Sequence, residues 1–258
     1  MNNVMDQVRK ATEDCDNTQG FITTHSLGGG AGSGFKSLLM EQIVDEYLKT
    51  CRFDFSIFPC SKVSSFITEP YNAVLSTNSS LNHADCSFLI DNRAIYDVCR
   101  TNLKIKTPTF GLMNEIIAQT ISSITASLRF EGELNVDLED FKTNLVPFPR
   151  IHFPVTSFAP LVTKFSGCYG NNNIDVMTDA CFDNSHQLVK CNSKQGEYTS
   201  CCLLYQGKIN RNDCSKAVFH LKTKEKVKFV DWMPTGFKFG ISKKQRVSRE
   251  QFLSQQQF

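Results

Sequence analysis

The chain has 258 residues, 41% of them hydrophobic, enough for one large domain or two ordinary ones. The charged fraction is 21% and the formal net charge only +2, which excludes the clustered basic excess of a nucleic-acid binder. No run approaches the ~20 apolar residues that span a bilayer. The polar opening MNNVMDQVRKATEDC also lacks the apolar segment of a secretion signal, so a soluble intracellular protein is expected.

The first segment, to about Asp16, reads as a helix with Val4, Met5, Val8 and Ala11 on one face. Gly20–Ser26 reads as a short buried strand, followed at once by a glycine-rich loop. Phe35, Leu38, Leu39, Ile43, Val44, Tyr47 and Leu48 then recur at helical spacing. The order repeats. Arg52–Phe58 reads as a strand, a loop through Pro70 leads into a helix, and Ser87–Ile90 reads as another strand. Asp91 or Asn92 could cap the helix that holds Ile95, Tyr96 and Val98. A long helix is predicted from about Phe110 to Leu128. Strands alternating with helices predict an α/β fold with a parallel sheet covered on both faces.

The texture changes near Ile151. Ile151–Val155, Gln187–Cys191, Tyr198–Tyr205, Lys226–Trp232 and Phe237–Ile241 read as strands, with two modest helices and a polar loop at Tyr169–Asn173 between them. These predict a second, mixed α+β domain joined to the first by the long helix. The boundaries fall at residues 1–145, 146–241 and a polar tail, 242–258, expected to be mobile or poorly packed. The 11 cysteines are odd in number and show no CxxC pair, so they read as reduced, packed thiols, with no metal site.

The loop Ser26-Leu-Gly-Gly-Gly-Ala-Gly-Ser-Gly34 has five glycines in seven positions, which lets the backbone approach a ligand closely. Amides at the head of the following helix favour phosphate, and Ser26 and Ser33 could add hydroxyl donors. Phe35 separates Gly34 from Lys36-Ser37, so the loop is not a Walker motif. A flexible turn is the bland alternative.

The loop resembles the GGGTGSG phosphate signature of the tubulins, with Ala31 in place of Thr. Gly34–Glu41, Glu69-Pro-Tyr-Asn72, Ala94-Ile-Tyr-Asp97, Ser122–Phe130 and Phe229-Val-Asp-Trp232 resemble tubulin segments in family order. Leu134–Phe153 is similar to the α-tubulin version, with acidic Asp140 where β-tubulins place a basic residue.

The resemblance implies a Rossmann-like GTP-binding domain and a set of nucleotide-contacting positions. Ser26, Gly28, Gly29, Gly30, Ala31 and Gly32 fall on the phosphate loop, and Ser65 and Glu69 on the loop that approaches the ribose. Asn92 and Asn114 fall on guanine-reading positions, and Phe110 where an aromatic ring stacks on the base. Asp140 falls where α-tubulins carry the Glu that helps activate water against GTP held by the next β subunit. The implied partners are β-tubulin, the microtubule lattice and microtubule-associated proteins, with no nucleic acid or membrane, in the cytoplasmic cytoskeleton. The family's opening portion, including the acidic residues near its magnesium, and its C-terminal helices and acidic tail are not expected in this chain. Two other readings compete with the filament subunit. One is a self-contained GTPase; the other is a divergent paralogue that meets filaments without binding nucleotide.

Overall fold

In a computed structural model, described over residues 1–60, 66–130, 132–159, 173–207, 209–224, 227–233 and 236–242, two three-stranded sheets share one interior. The first comprises β1 (Gly20–Ser26), β2 (Cys51–Phe58) and β3 (Cys86–Asp91), all parallel and in that order. Helices α1 (Asn2–Glu13), α2 (Lys36–Glu46), α3 (Glu69–His83) and α4 (Asn92–Thr101) alternate with them. Because a central parallel strand is covered on both faces, β2 buries Phe53 and Phe55 together with Asp54 and Ser56. On one face, α1 and α2 gather Met5, Met40 and Ile43 against Phe21 and Tyr47.

The second sheet, ordered β4-β6-β5, comprises β4 (Gly132–Leu134), β5 (Ser200–Gln206) and β6 (Gly236–Ser242). It is mixed: β6 runs parallel to β5 and antiparallel to β4. α5 (Phe110–Ile124) and α6 (Ala126–Arg129) precede β4, α7 (Leu138–Leu145) and α8 (Ile174–Cys181) lie between β4 and β5, and α9 (Arg211–Thr223) lies between β5 and β6. Phe53, Phe55 and Phe88 of the first sheet pack with Val136, Leu138 and Phe141, while Cys202 and Leu204 of β5 close the same cluster. Phe53–Phe141 and Phe88–Phe141 meet edge-on and Phe55–Phe88 stack. Each such ring contact adds about 0.5–1.5 kcal/mol beyond area burial.

Four expected elements differ. The long helix is broken at Thr125 (φ −86°, ψ 2°), which ends α5 before α6 begins. Thr120, Ser123 and Thr125 hydroxyls donate to the carbonyls of Ile116, Gln119 and Ile121, a local competition with the helical ladder. Ile151–Val155 runs beside β3 without becoming a regular strand. Ser87 N donates to His152 O and Val155 bridges Leu89, but Pro154 has no N–H with which to continue the ladder. Gln187–Cys191 bridges only at Gln187, to Ser157, and then turns as Cys191 N donates to Val189 O. Of Lys226–Trp232, Phe229 bridges Tyr198 and Asp231–Trp232 turn, while Lys226 lies outside the described residues.

Among the described residues ten cysteines are free, and Cys51, Cys60, Cys86, Cys99, Cys201 and Cys214 are buried as small core groups. Burial pushes the Cys86, Cys201 and Cys202 thiols up to about 12, away from reactive thiolate. Cys168, the Tyr169–Asn173 loop up to residue 172, and the tail from residue 243 lie outside the described residues.

Candidate functional site

The glycine loop leaves β1 at its C-terminal end. Leu27 is buried and its N–H donates to Ile57 O, so the loop starts from a point fixed to β2. Gly28 then passes against Glu69: a Cβ added there would lie 3.2 Å from the Glu69 carboxyl carbon. Asn72 Nδ2 donates to Gly28 O at 2.9 Å and ties the loop to α3. Asn72 was missed as a site residue, although it closes the Glu69-Pro-Tyr-Asn72 motif.

Residues Ala31–Phe35 form a widened π-helical turn that enters α2, with Gly30 as its first flanking residue. Gly29, Gly30, Ala31 and Gly34 are exposed. Gly32 packs against the backbone of Ser26, and a Cβ there would collide with Ser26 O. Ser33 is buried and its hydroxyl donates to Gly29 O at 2.7 Å, so it braces the loop from inside instead of facing a ligand. That corrects its expected role as a donor. Ser26 is exposed; its Oγ lies 3.4 Å from Gly28 N, whose N–H donates to it.

Beneath the loop lies a buried polar cluster that the sequence pattern did not single out. Lys36, the first residue of α2, is 5% exposed, and Asp54 on β2 is fully buried. Lys36 Nζ donates to Asp54 Oδ2 at 2.6 Å and to Ser80 Oγ of α3 at 2.8 Å. Ser80 Oγ donates to Asp54 Oδ2, and Thr23 Oγ1 to Asp54 Oδ1. His25 Nε2 lies 2.9 Å from Asp54 Oδ1, an ion-pair contact if the ring is protonated. Burial pushes the Asp54 carboxyl up, but the His25 contact and the Lys36 charge outweigh it and hold the group below its usual range.

At the C-terminal end of β3, the Asp91 side chain accepts from Arg93 N at 2.8 Å and caps α4. Asp91, not Asn92, is therefore the cap, and the Asn92 amide makes no side-chain hydrogen bond among the described residues. Ile90, Ile95, Met113 and Leu188 share one buried cluster, which packs the N-terminal half of α5 against the end of β3 and α4. Phe110 opens α5 and is 62% exposed, and Asn114 follows one turn later, also exposed. Asn92, Phe110 and Asn114 thus stand on two helices that start at the end of the sheet where the glycine loop stands. In an open parallel sheet that is the edge where ligands bind. Ser65 lies outside the described residues. A hollow of about 450 Å³ between α4 and the 184–192 turn is lined by Asp97, Thr101, Asn184 and Lys190 and by none of the predicted residues.

Asp140 lies elsewhere. It is the third residue of α7, where it forms a reciprocal cap with Asp137: Asp137 N donates to Asp140 Oδ2 at 3.2 Å. Lys238 Nζ of β6 donates to Asp140 Oδ1 at 3.0 Å. The Lys238 hydrogen bond is the largest influence and, with lesser help from the Asp137 amide and the Lys238 charge, holds the carboxyl below its usual range against desolvation. Leu138, two residues before Asp140, packs against Gly20 at the N-terminal end of β1. The six-residue rise from Gly20 to Ser26 places α7 and the glycine loop roughly 20 Å apart, at opposite ends of the sheet.

Residues 1–100 match the GTPase domain of the Tubulin/FtsZ family, and residues 149–255 match the tubulin C-terminal domain. The chain belongs to the tubulin family. The tubulin alpha-1 chain of Saccharomyces cerevisiae (strain ATCC 204508 / S288c) is 50% identical over 241 residues, covering 93% of this chain and 54% of that protein. The tubulin alpha chain of Eremothecium gossypii is 49% identical over the same length, with the same coverage. Both are α-tubulins by name, in line with the α-like segment at Leu134–Phe153. The chain spans about half the length of the curated relatives it matches. As in the tubulin GTPase fold class, a parallel sheet carries the loop, and a mixed sheet follows.

Proposed function

We propose that this tubulin-family chain is an α-tubulin-like filament subunit that holds GTP at the glycine loop, pairs with β-tubulin, and offers Asp140 to a nucleotide held by the neighbouring subunit. The observation that carries this reading is the separation of the two sites. Asp140 stands on α7, whose first residue Leu138 meets the N-terminal end of β1, and the glycine loop leaves the other end of that strand, a rise of about 20 Å, too far to position water against a phosphate held there. A loop at one end and a carboxylate at the other fit a head-to-tail contact, and such contacts propagate into open filaments.

In this reading the amides from Gly28 to Gly32 surround phosphate, Glu69 and Ser65 border the ribose, and Asn92 and Asn114 read the base edge while Phe110 stacks on it. GTP supplies the phosphoanhydride that is cleaved. Phosphoryl transfer then depends on how the carboxylate orients water, and Asp reaches one methylene less far than the Glu of α-tubulins. Magnesium is expected with the nucleotide, but no group of three acidic, His or Cys residues able to hold a metal stands together among the described residues. The chain works in the cytoplasmic microtubule lattice, where microtubule-associated proteins meet it. Residues 1–145 form the nucleotide domain with its connecting helix and 146–241 the intermediate domain, to which β4 adds an edge strand and whose last strand, β6, takes in Ser242 from the expected 242–258 tail.

A second reading, a paralogue that meets filaments without nucleotide, is favoured by two features of the loop. Ala31 lacks a hydroxyl, and the Ser33 hydroxyl is committed to Gly29 O. A self-contained GTPase is disfavoured by the distance to Asp140. Guanine-nucleotide retention by the purified chain, measured together with co-sedimentation on microtubules, separates the three. Retained nucleotide with co-sedimentation is expected. Specific co-sedimentation without nucleotide would select the paralogue, and turnover by the isolated chain would select the self-contained enzyme.

A further inference from the structure

We propose that Lys238 is a positioning residue for Asp140: it fixes the direction of the carboxylate at the surface that faces the neighbouring subunit. The inference deepens the proposed trans role of Asp140 and rests on that reading.

The geometry commits both carboxylate oxygens. Asp137 N donates to Oδ2 and Lys238 Nζ to Oδ1, from two elements that the chain brings together over 98 residues of sequence. Lys238 stands on β6, where it pairs with Cys202 of β5, and β4 holds the end of the same strand at Ile241 and Ser242, so its backbone is fixed. Asp140 is fixed by the reciprocal cap of α7. Both side chains remain 34% exposed, so the pair sits at the surface and one face of the carboxylate stays open to water. The neighbouring titratable groups are few: Asp137 and Glu139 on the same turn, and the Cys202 thiol on β5, which burial keeps neutral. Lys238 is the cation that faces Asp140 among the described residues.

A carboxylate held in this way is a poor proton acceptor and a well-oriented hydrogen-bond acceptor. It suits holding a water in line, with the proton leaving toward the phosphate, better than taking that proton itself. Lys238 also compensates for the short side chain, because a carboxylate with one reach and one direction loses less to misplacement than a free one.

The test uses the full chain with Lys238→Met and Lys238→Arg. The Asp140 carboxyl is followed by carbon NMR across an acid titration, and GTP turnover is followed in filaments co-assembled with β-tubulin. Lys238→Met is expected to move the Asp140 midpoint upward and to lower turnover on the order of tenfold, with nucleotide retention unchanged. Lys238→Arg is expected to restore both. An Asp140 midpoint that does not move in Lys238→Met overturns the proposal, and so does a moved midpoint with wild-type turnover. If wild-type filaments show no turnover, the trans reading fails, and the titration still decides whether Lys238 governs Asp140.

Discussion

At the scale of single residues, the glycines of the loop are not equivalent. Gly32 has backbone where a Cβ would go, whereas Gly34 has nothing within 4 Å. Gly32→Ala is therefore expected to force the Ser26–Gly32 approach apart, at a cost of about 1–3 kcal/mol in stability, and to abolish nucleotide retention. Gly34→Ala should be close to neutral in both. Paired urea melts and retention assays check this, and equal effects of the two substitutions would show that the loop is not held at Gly32. Ser33 makes a related point. A sequence offers its hydroxyl as a ligand donor, but the π-helical turn directs it inward to Gly29 O. Nothing in a string of glycines and serines tells which hydroxyl faces out, because that depends on the turn.

At the scale of elements, the buried Lys36–Asp54 pair joins α2, β2 and, through Ser80, α3. It fixes the helix that carries the loop amides. Lys36→Met leaves the buried Asp54 carboxylate without its lysine cation, with only the His25, Thr23 and Ser80 contacts, and is expected to cost about 3–5 kcal/mol at pH 7, with much of that recovered by adding Asp54→Asn. A loss below about 1 kcal/mol in urea unfolding would contradict this role. The pH dependence follows from the sign of the shift. Asp54 is held below its usual range in the fold, so its contribution is present above the unfolded value near pH ~4 and is lost as pH falls through the lower folded value.

The same scale shows how much was legible. The spacing of apolar residues located β1, β2, β3 and the helices between them, because buried parallel strands and amphipathic helices have distinct periods. The pattern Arg52–Phe58 gave a strand but not the meaning of Asp54. Its ion pair depends on Lys36, whose sequence position suggests only a solvated helix start. The break at Thr125 and the irregular path of Ile151–Val155 were equally hidden. They follow from hydroxyl back-bonding and from a missing proline N–H, which apolar periodicity does not register. Asn92, Phe110 and Asn114 were legible only as a set read through the family resemblance, since singly each suits a cap, a core or a surface.

At the scale of the whole molecule, the parallel sheet carries a candidate site at each end. Its C-terminal end carries the glycine loop and the helices with Asn92, Phe110 and Asn114. Its N-terminal end carries α7, which packs Leu138 and Phe141 into the shared phenylalanine cluster and holds Asp140 at the surface. The cluster couples the two sheets, so the orientation of α7 relative to the loop is set by core packing and not by a flexible linker. That rigidity is what a subunit needs if the spacing between loop and carboxylate is to match the repeat of a filament.

The most direct measurement is phosphate release from GTP in filaments co-assembled with β-tubulin, comparing the wild-type chain with Asp140→Asn. Asparagine keeps an oxygen for the Asp137 N–H, so α7 stays capped while the charge is removed. The expected result is a fall of about 100-fold in filaments, with nucleotide retention on the chain's own loop unchanged and no turnover by the isolated chain. Turnover by the isolated chain that Asp140→Asn removes, or filament turnover that Asp140→Asn leaves intact, would contradict the assignment of Asp140 to the neighbouring subunit's nucleotide.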